Sequence, residues 1–325
     1  MKKWIPILAL AALPLPVLAA EALPTWAIFI PDAKQPPAGK EDTAPKTLPG
    51  STKSYTQAQI DDLKNAIDWF PNEHAPMPKV VASGGDGPVL ACAVCHLASG
   101  MGHPESSSLA GLTPAYMEEQ IADFKSGARY NSVMVNGMPQ VNATQFMVGV
   151  AMGLSAADSK AAAEWFAALK PLPDWVKVVE AAKVPKSYVS GGYMRIAWPG
   201  GGMEAIGNRI VELPKDEGRQ LMRDPHFGTT AYVPPGSIKK GEALVTTGGG
   251  GKTTQCAICH GPDLKGIADV PDIAGRSPSY LFRQLASFQD GSRGGTSAAL
   301  MKPVVAKLSQ ADMVSIVAYV ASRPR

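Results

Sequence analysis

The sequence predicts a mainly α-helical protein in which one domain occurs twice, joined by a loop-rich connection that contains a small β-hairpin. Three observations support this fold class. Two near-identical pentads, residues 92–96 and 256–260, begin segments that stay similar for almost forty residues without a gap. Both segments end in an apolar helix that opens with the same Ser-x-x-Asp pattern. The 29 prolines and 32 glycines favour long loops between short helices over a large sheet.

The two pentads carry the clearest chemical signal, because they contain every cysteine in the chain. C-x-x-C-H is the attachment signature of c-type haem, in which both thiols bind the porphyrin and the histidine binds the iron. Two residues between the thiols allow one helical turn to present both sulfurs to one porphyrin edge. A zinc knuckle, a redox dithiol or structural disulfides would leave the histidines unexplained. The sequence therefore predicts two covalently attached c-type haems, held by Cys92, Cys95, His96, Cys256, Cys259 and His260.

The similarity between the two segments continues beyond the pentads at a constant offset of 164 residues. Thr113 and Ser277 are predicted helix N-caps, each followed by a proline at the first helical position. The closing helices are predicted to begin after Ser155 and Ser309, each with an aspartate three residues later. The two segments are therefore copies of one domain, and further corresponding pairs are Gln120 with Gln284, Phe124 with Phe288, and Arg129 with Arg293.

The amino terminus has the pattern of a secretory signal peptide. Lys2 and Lys3 precede an uncharged apolar run from Trp4 to Ala20 that ends in small residues. We expect residues 1–20 to be cleaved and the mature protein to lie in the periplasm without a transmembrane anchor, since no other segment is apolar for long enough. The formal net charge of +3 and the absence of a Lys/Arg cluster predict no binding of nucleic acid.

The order of these features resembles the class I cytochrome c fold, and two such domains in tandem resemble the periplasmic two-haem cytochromes c. The resemblance covers about residues 84–171 and 236–325, the predicted haem domains. In that family a methionine sulfur binds the iron opposite the histidine and raises the reduction potential. The resemblance therefore implies Met301 as the second ligand of the second iron, because Met301 lies in the predicted loop seven residues before Leu308. Met313 falls inside the closing helix and is predicted to belong to the core.

The first copy offers more than one methionine for the same role. Met147 lies seven residues before Leu154, in the register of Met301. Met138 lies almost as far from its pentad as Met301 lies from the second pentad. The first copy holds ten extra residues in this region, so Met147 is the predicted ligand if the insertion precedes it. Met138 remains the alternative.

Two loop features after the pentads bear on the iron ligands. His103 could supply an imidazole to the first iron, but it is interpreted as a solvated loop histidine. The family also has a loop proline whose carbonyl accepts a hydrogen bond from the ligating histidine. The candidates for that acceptor are Pro104 and Pro271.

The remaining chain is predicted to support the two copies. Residues 21–83 form an extension with one helix, from Thr56 to Phe70, whose apolar face packs on the first copy. Residues 172–235 connect the copies, and two alternating segments, residues 194–198 and 209–213, are the predicted strands of a hairpin.

The predicted function is the transfer of single electrons between redox partners by a periplasmic di-haem cytochrome c, without catalysis by the chain itself. Partners of this class include a periplasmic dehydrogenase or a terminal oxidase. One alternative is a di-haem peroxidase, which needs an open iron position that a methionine in both copies would fill. Another alternative is the electron-accepting cytochrome subunit of a periplasmic dehydrogenase.

Overall fold

The computed structural model describes residues 22–36, 43–87, 89–135, 138–191 and 194–325. The predicted signal peptide lies outside these ranges. The described chain is mainly helical, with short 3-10 helices at Thr25–Ala27 and Ser297–Met301. The α-helices are α1 (Gln57–Asp61), α2 (Lys79–Ser83), α3 (Cys92–His96), α4 (Pro114–Ser126), α5 (Ala143–Gly153), α6 (Ala156–Ala168), α7 (Glu217–Leu221), α8 (Ser237–Thr247), α9 (Ala257–His260), α10 (Pro278–Asp290), α11 (Lys302–Val305) and α12 (Gln310–Ala321).

The strands of the described residues form small, separate sheets. The longest is a mixed sheet in which β11 pairs in parallel with β5 and antiparallel with β10. The remaining strands form antiparallel pairs: β1 with β2, β3 with β4, β6 with β9, and β7 with β8. Their bounds are β1 (Lys46–Thr47), β2 (Ser54–Tyr55), β3 (Met134–Val135), β4 (Met138–Pro139), β5 (Val176–Glu180), β6 (Lys183–Pro185), β7 (Ser187–Val189), β8 (Arg195–Ala197), β9 (Met203–Ala205), β10 (Val211–Pro214) and β11 (Thr229–Val233).

In the first copy, α4 packs against α5 and α6. The predicted caps are present, since Thr113 and Ser155 accept hydrogen bonds from backbone N–H groups in the first turns of α4 and α6. Full burial of a large apolar side chain such as Phe166 contributes about 2 kcal/mol. The core also takes in residues upstream of the predicted boundary at residue 84; it includes Val80, Val81, Met117, Trp165 and Phe166.

In the second copy, α8 crosses α12 at very close range. A Cβ atom at Gly241 would lie 1.9 Å from the carbonyl oxygen of Ser315, so only glycine lets the two backbones meet there. At the repeat offset, α8 corresponds to residues 73–83 of the first copy, of which only α2 is helical. The two cores are therefore closed differently at this edge.

The connection between the copies contains more sheet than predicted. The two predicted strands are present as β8 and β10, but they do not pair with each other, and the predicted hairpin is therefore wrong. β8 pairs with β7, and β10 pairs with β11. Alternation along a strand indicates which face is buried but not which strand is its neighbour, and here both neighbours come from segments without clear alternation.

The predicted helix from Thr56 to Phe70 is wrong beyond its first turns. α1 begins after Thr56, which forms a capping box with Gln59, and α1 ends at Asp61. The side chain of Asp62 accepts hydrogen bonds from the backbone N–H of Lys64 and from the Asn65 amide, a local turn that competes with the helix. The apolar residues downstream of the turn are still buried, in a small cluster of Leu48, Ile60, Ile67 and Trp69.

Within the described ranges, no single helix has both the length and the apolar composition of a membrane span. One bent pair of helices, Ser297–Val305 with Gln310–Ala321, meets those criteria when the two are taken together.

Asp312 anchors the start of α12 and is expected to control the acid stability of the second copy. Its buried carboxylate contacts Lys240 Nζ at 3.0 Å and Lys252 Nζ at 2.7 Å, and caps the helix with Ser309. Burial alone would raise the pKa of Asp312, but hydrogen bonds from Lys252, Ser309 and Lys240 hold that pKa below its usual range. Replacing Asp312 with asparagine is therefore expected to lower the free energy of unfolding by roughly 2 kcal/mol near neutral pH.

A carboxylate whose pKa is lower in the folded protein stabilises it above the unfolded value of about 3.9, and that contribution is lost as the pH falls further. The difference in stability between wild type and Asp312→Asn should thus narrow below about pH 4, when denaturant unfolding of the holoprotein is followed by circular dichroism. Asp158→Asn is the matched control, because Asp158 occupies the same position at Ser155 but makes no lysine contact among the described ion pairs. Equal losses in the two variants would contradict the role of the lysines.

Candidate haem-binding sites

Each pentad forms a single helical turn that ends at its histidine. α3 is the whole first pentad, and in the second pentad Cys256 is the N-cap of α9. The residue after each histidine has a positive φ, 62° at Leu97 and 83° at Gly261. Leu97 is buried beside Trp175 and Phe227, and this packing offsets a backbone strain of about 1–3 kcal/mol. The chain therefore turns sharply away from the pentad in both copies.

The four thiols are free, and none is joined in a disulfide. Burial raises the pKa of Cys92 to about 12 and that of Cys256 to about 11, so both thiols are protonated at neutral pH. Zinc binding requires thiolates and further ligands. The described part of the chain contains no group of three or more His, Cys, Asp or Glu side chains placed to hold a metal ion. The sites thus have the chemistry of haem attachment and lack that of a zinc knuckle or a disulfide.

Both pentad histidines are oriented by a backbone carbonyl. The Nδ1 atom of His96 lies 2.7 Å from the oxygen of Ser107, and Nδ1 of His260 lies 2.8 Å from the oxygen of Pro271. A carbonyl only accepts hydrogen bonds, so Nδ1 is the donor and Nε2 keeps its lone pair for a metal. Burial lowers the pKa of both histidines, which favours this neutral form.

The acceptor predicted for His260 is confirmed, whereas Pro104 is the wrong acceptor for His96. Both acceptors lie eleven residues after their histidine, so Ser107 and Pro271 are equivalent positions of the repeat. Sequence reasoning missed Ser107 because it looked for the residue type proline. A carbonyl is present in every residue, so the repeat register would have been the better signal.

The interpretation of His103 as a solvated loop histidine is wrong. Its side chain is 4% exposed and its ring stacks on Phe227 at a centroid distance of 5.4 Å. Neither ring nitrogen has a hydrogen-bond partner among the described residues, and Nδ1 lies 3.9 Å from the carboxylate of Glu105. Burial lowers the pKa of His103 to about 3, so the ring is neutral. Phe227 belongs to the connection, so only the tertiary packing covers this histidine.

The methionines differ in burial. Met301 ends the 3-10 helix before α11, rather than lying in an irregular loop, and is partly buried against the second core. Met147 is half-buried on α5, whereas Met138 is 62% exposed on β4. Met313 is fully buried in the second core, as predicted. Coordination of the iron by Met147 and Met301 stays a prediction.

Two buried arginines cross between the copies near the pentads. Arg129 donates to Gln284 at 2.8 Å and lies 3.4 Å from the hydroxyl of Tyr280; Arg293 donates to Tyr116 at 2.7 Å. Backbone bridging between the two arginines makes the arrangement reciprocal. Burial would raise the pKa of Tyr280, but the charges of Arg129 and Arg293 lower it to about 7. This strongly positive interface suits an anionic group, and haem carries carboxylates, so the residues present fit the predicted cofactor.

Comparison with known proteins agrees with this chemistry. The family model for cytochrome c matches residues 238–324. Cytochrome c-554(548) from Halomonas halodenitrificans (strain ATCC 12084 / NCIMB 8669) is 40% identical over 73 residues, which is 22% of this chain and 88% of that protein. The chain therefore belongs to the cytochrome c family.

Two longer or tandem relatives narrow the class. A thiosulfate dehydrogenase electron acceptor from Thiomonas intermedia (strain K12) is 27% identical over 236 residues, covering 72% of this chain and 78% of the relative. A cytochrome c4 from Stutzerimonas stutzeri is 33% identical over 100 residues, covering 29% of this chain and 46% of the relative. With its two pentads, this chain is a di-haem c-type cytochrome with covalently attached haems, and it transfers electrons between redox partners.

Proposed function

We propose that this chain is the periplasmic electron acceptor of a dehydrogenase that oxidises a small sulfur oxyanion such as thiosulfate. The observation that carries the proposal is the likeness to a thiosulfate dehydrogenase electron acceptor over 236 residues, longer than either haem domain. The likeness therefore includes more than the haem-binding repeat. Export through a signal peptide at residues 1–20 belongs to the same proposal.

We assign the haem contacts residue by residue. Cys92 and Cys95 form the thioether links in the first copy, with His96 as the iron ligand and Met147 opposite it. In the second copy the corresponding residues are Cys256, Cys259, His260 and Met301. The free, protonated thiols and the histidine orientation described above support this assignment. When bound, the haem irons accept and release single electrons, while a methionine ligand favours the reduced state.

The arginine pair provides the contact between the two centres. Arg129 and Arg293 each reach across to the other copy, and they would hold the haem carboxylates together with Tyr116 and Tyr280. Each copy thereby fixes the orientation of the other, so the separation of the two centres stays constant. A constant separation suits a carrier that passes electrons from one centre to the next. The proposed domain division is 1–20 signal peptide, 21–83 extension, 84–171 first haem domain, 172–235 connection and 236–325 second haem domain.

The test is electron transfer from a purified thiosulfate dehydrogenase to the oxidised holoprotein. With enzyme and thiosulfate present, we expect both haems to be reduced rapidly, as measured by stopped-flow absorbance. Thiosulfate without enzyme is the control and should reduce the haems far more slowly. Equal rates with and without enzyme would contradict the proposal. Rapid turnover of peroxide by the reduced protein would instead support the peroxidase alternative.

A further inference from the structure

We propose that Asp272, Ser108 and Arg325 are positioning residues that link the two histidine loops, so that each haem centre tunes the reduction potential of the other. The inference rests on the proposed ligand roles of His96 and His260. It concerns neither the ligands themselves nor the arginine pair between α4 and α10. It depends instead on the residues that follow the two carbonyl acceptors.

The link begins at equivalent positions of the repeat. Ser108 follows Ser107, the acceptor for His96, and Asp272 follows Pro271, the acceptor for His260. Each of these residues is therefore one peptide unit away from the carbonyl that orients a histidine. Any force on the side chain or carbonyl of Ser108 or Asp272 acts directly on the geometry of that hydrogen bond.

Two arginines bridge these equivalent positions across the interface of the copies. Arg325 donates to Ser108 Oγ at 2.7 Å and to Asp272 Oδ2 at 3.2 Å, and it reaches the carbonyl of Ala110 at 3.0 Å. Arg276 donates to the carbonyl of Ser108 at 2.7 Å and also pairs with the carboxylate of Asp272. A continuous path of covalent and hydrogen bonds thus runs from His96 to His260.

The burial of the link makes it strong and specific. The side chains of Arg276 and Arg325 are 5% and 4% exposed, and that of Asp272 is 13% exposed. Burial would raise the pKa of Asp272, but the charges of both arginines hold that pKa below its usual range, so the carboxylate stays ionised. Planar guanidinium groups fix several acceptors at once, which a flexible cation would not do. The two loops therefore cannot shift independently.

The consequence for the haems follows from the basicity of the ligating histidine. A stronger hydrogen bond from Nδ1 makes the ring a better donor to the iron and favours the oxidised state. Asp272 adds a negative charge near the second centre, and the arginines add positive charge near both. A change at the link in one copy is therefore expected to alter the potential of the haem in the other copy.

The first variant leaves every charge in place. Ser108→Ala removes the acceptor of Arg325 in the first copy and changes no ionised group. We expect equilibrium redox titration of the holoprotein to give shifted midpoint potentials for both haems. NMR should also show a displaced Nδ1–H signal of His260, in the second copy. An effect confined to the first copy would overturn the proposal.

The second variant removes the central charge and has a matched control. Asp272→Asn keeps the side-chain size and should raise both potentials. Asp269 lies in the same loop, and its carboxylate accepts a hydrogen bond from Thr113 of the first copy, outside the link. Asp269→Asn removes the same charge, so it should give smaller shifts and leave the His96 Nδ1–H signal unchanged. Equal shifts in Asp269→Asn and Asp272→Asn would reduce the effect to general electrostatics and overturn the proposal.

These measurements separate the inference from the function it rests on. Redox titration needs no dehydrogenase, so failure of electron transfer from that enzyme does not affect the result. If His96 and His260 are not iron ligands, their ring signals in the oxidised wild-type protein will lack paramagnetic shifts, and the inference falls with the assignment. Paramagnetically shifted rings together with independent potentials would reject the link alone.

Discussion

Replacing both cysteines of the second pentad, Cys256→Ala with Cys259→Ala, is expected to halve the covalently bound haem of this protein. The chain has only two other thiols, both in the first pentad, so no alternative attachment site exists in the sequence. Cys256, Ile273 and Met301 pack against the second core. Loss of the haem there should also destabilise the second copy, because the cofactor normally covers these groups. Covalent haem per chain is measured by mass spectrometry and haem staining after denaturing electrophoresis.

The first pentad supplies the matched control for this experiment. Cys92→Ala with Cys95→Ala should remove the other haem and leave the second one attached. The variant lacking all four cysteines should carry none. An unchanged haem content in either double variant would contradict the assignment of the thiols, and retention of one haem by the quadruple variant would contradict covalent attachment through cysteine.

Replacing Met301 with alanine is expected to abolish the iron–sulfur charge-transfer absorption of one haem, and Met147→Ala that of the other. Loss of the thioether removes a ligand that stabilises the reduced iron, so the potential of that haem should fall. Axial ligands span a range of about 0.8 V, which makes this a large effect. Absorption spectra of the oxidised proteins, together with redox titration, measure both quantities.

Met138→Ala is the control for the first copy. Met138 is exposed on β4, whereas Met147 is half-buried on α5, so only the latter is expected to matter. If the band survives in Met147→Ala and disappears in Met138→Ala, the repeat register counted back from the closing helix is wrong. The ten extra residues would then follow the ligand rather than precede it. Met313→Ala in the second core should change stability and leave the band intact.

Features that depend on neighbouring residues in the chain were predicted well. The pentads form single helical turns, and the caps at Thr113, Ser155 and Ser309 are present where the pattern indicated them. A cap is a hydrogen bond over three residues, so local sequence contains both partners. The duplicated domains followed from the repeat register for the same reason. The predicted mainly helical class with two cytochrome c domains is confirmed.

Features that depend on distant partners were missed. The helix expected to reach Phe70 stops at Asp61, because a side-chain turn at Asp62 competes with it. The hairpin failed because the strand neighbours come from elsewhere in the connection. His103 was placed in solvent, although Phe227, more than a hundred residues later, stacks on it. Hydrophobic patterns indicate that a residue is buried or exposed, but they do not identify the partner.

The sequence by itself determined the chemistry of this protein: two haem attachment sites, their histidine ligands as predicted, and the duplication that makes the copies alike. These conclusions depend on spacings within a few residues and on one repeat register. Only the tertiary structure decided how the two copies act on each other. The crossing of Arg129 and Arg293, and the bridge from Asp272 to Ser108, join residues more than 150 positions apart. Such contacts arise from the packing of whole domains, which fixes buried charges against partners that no local pattern identifies.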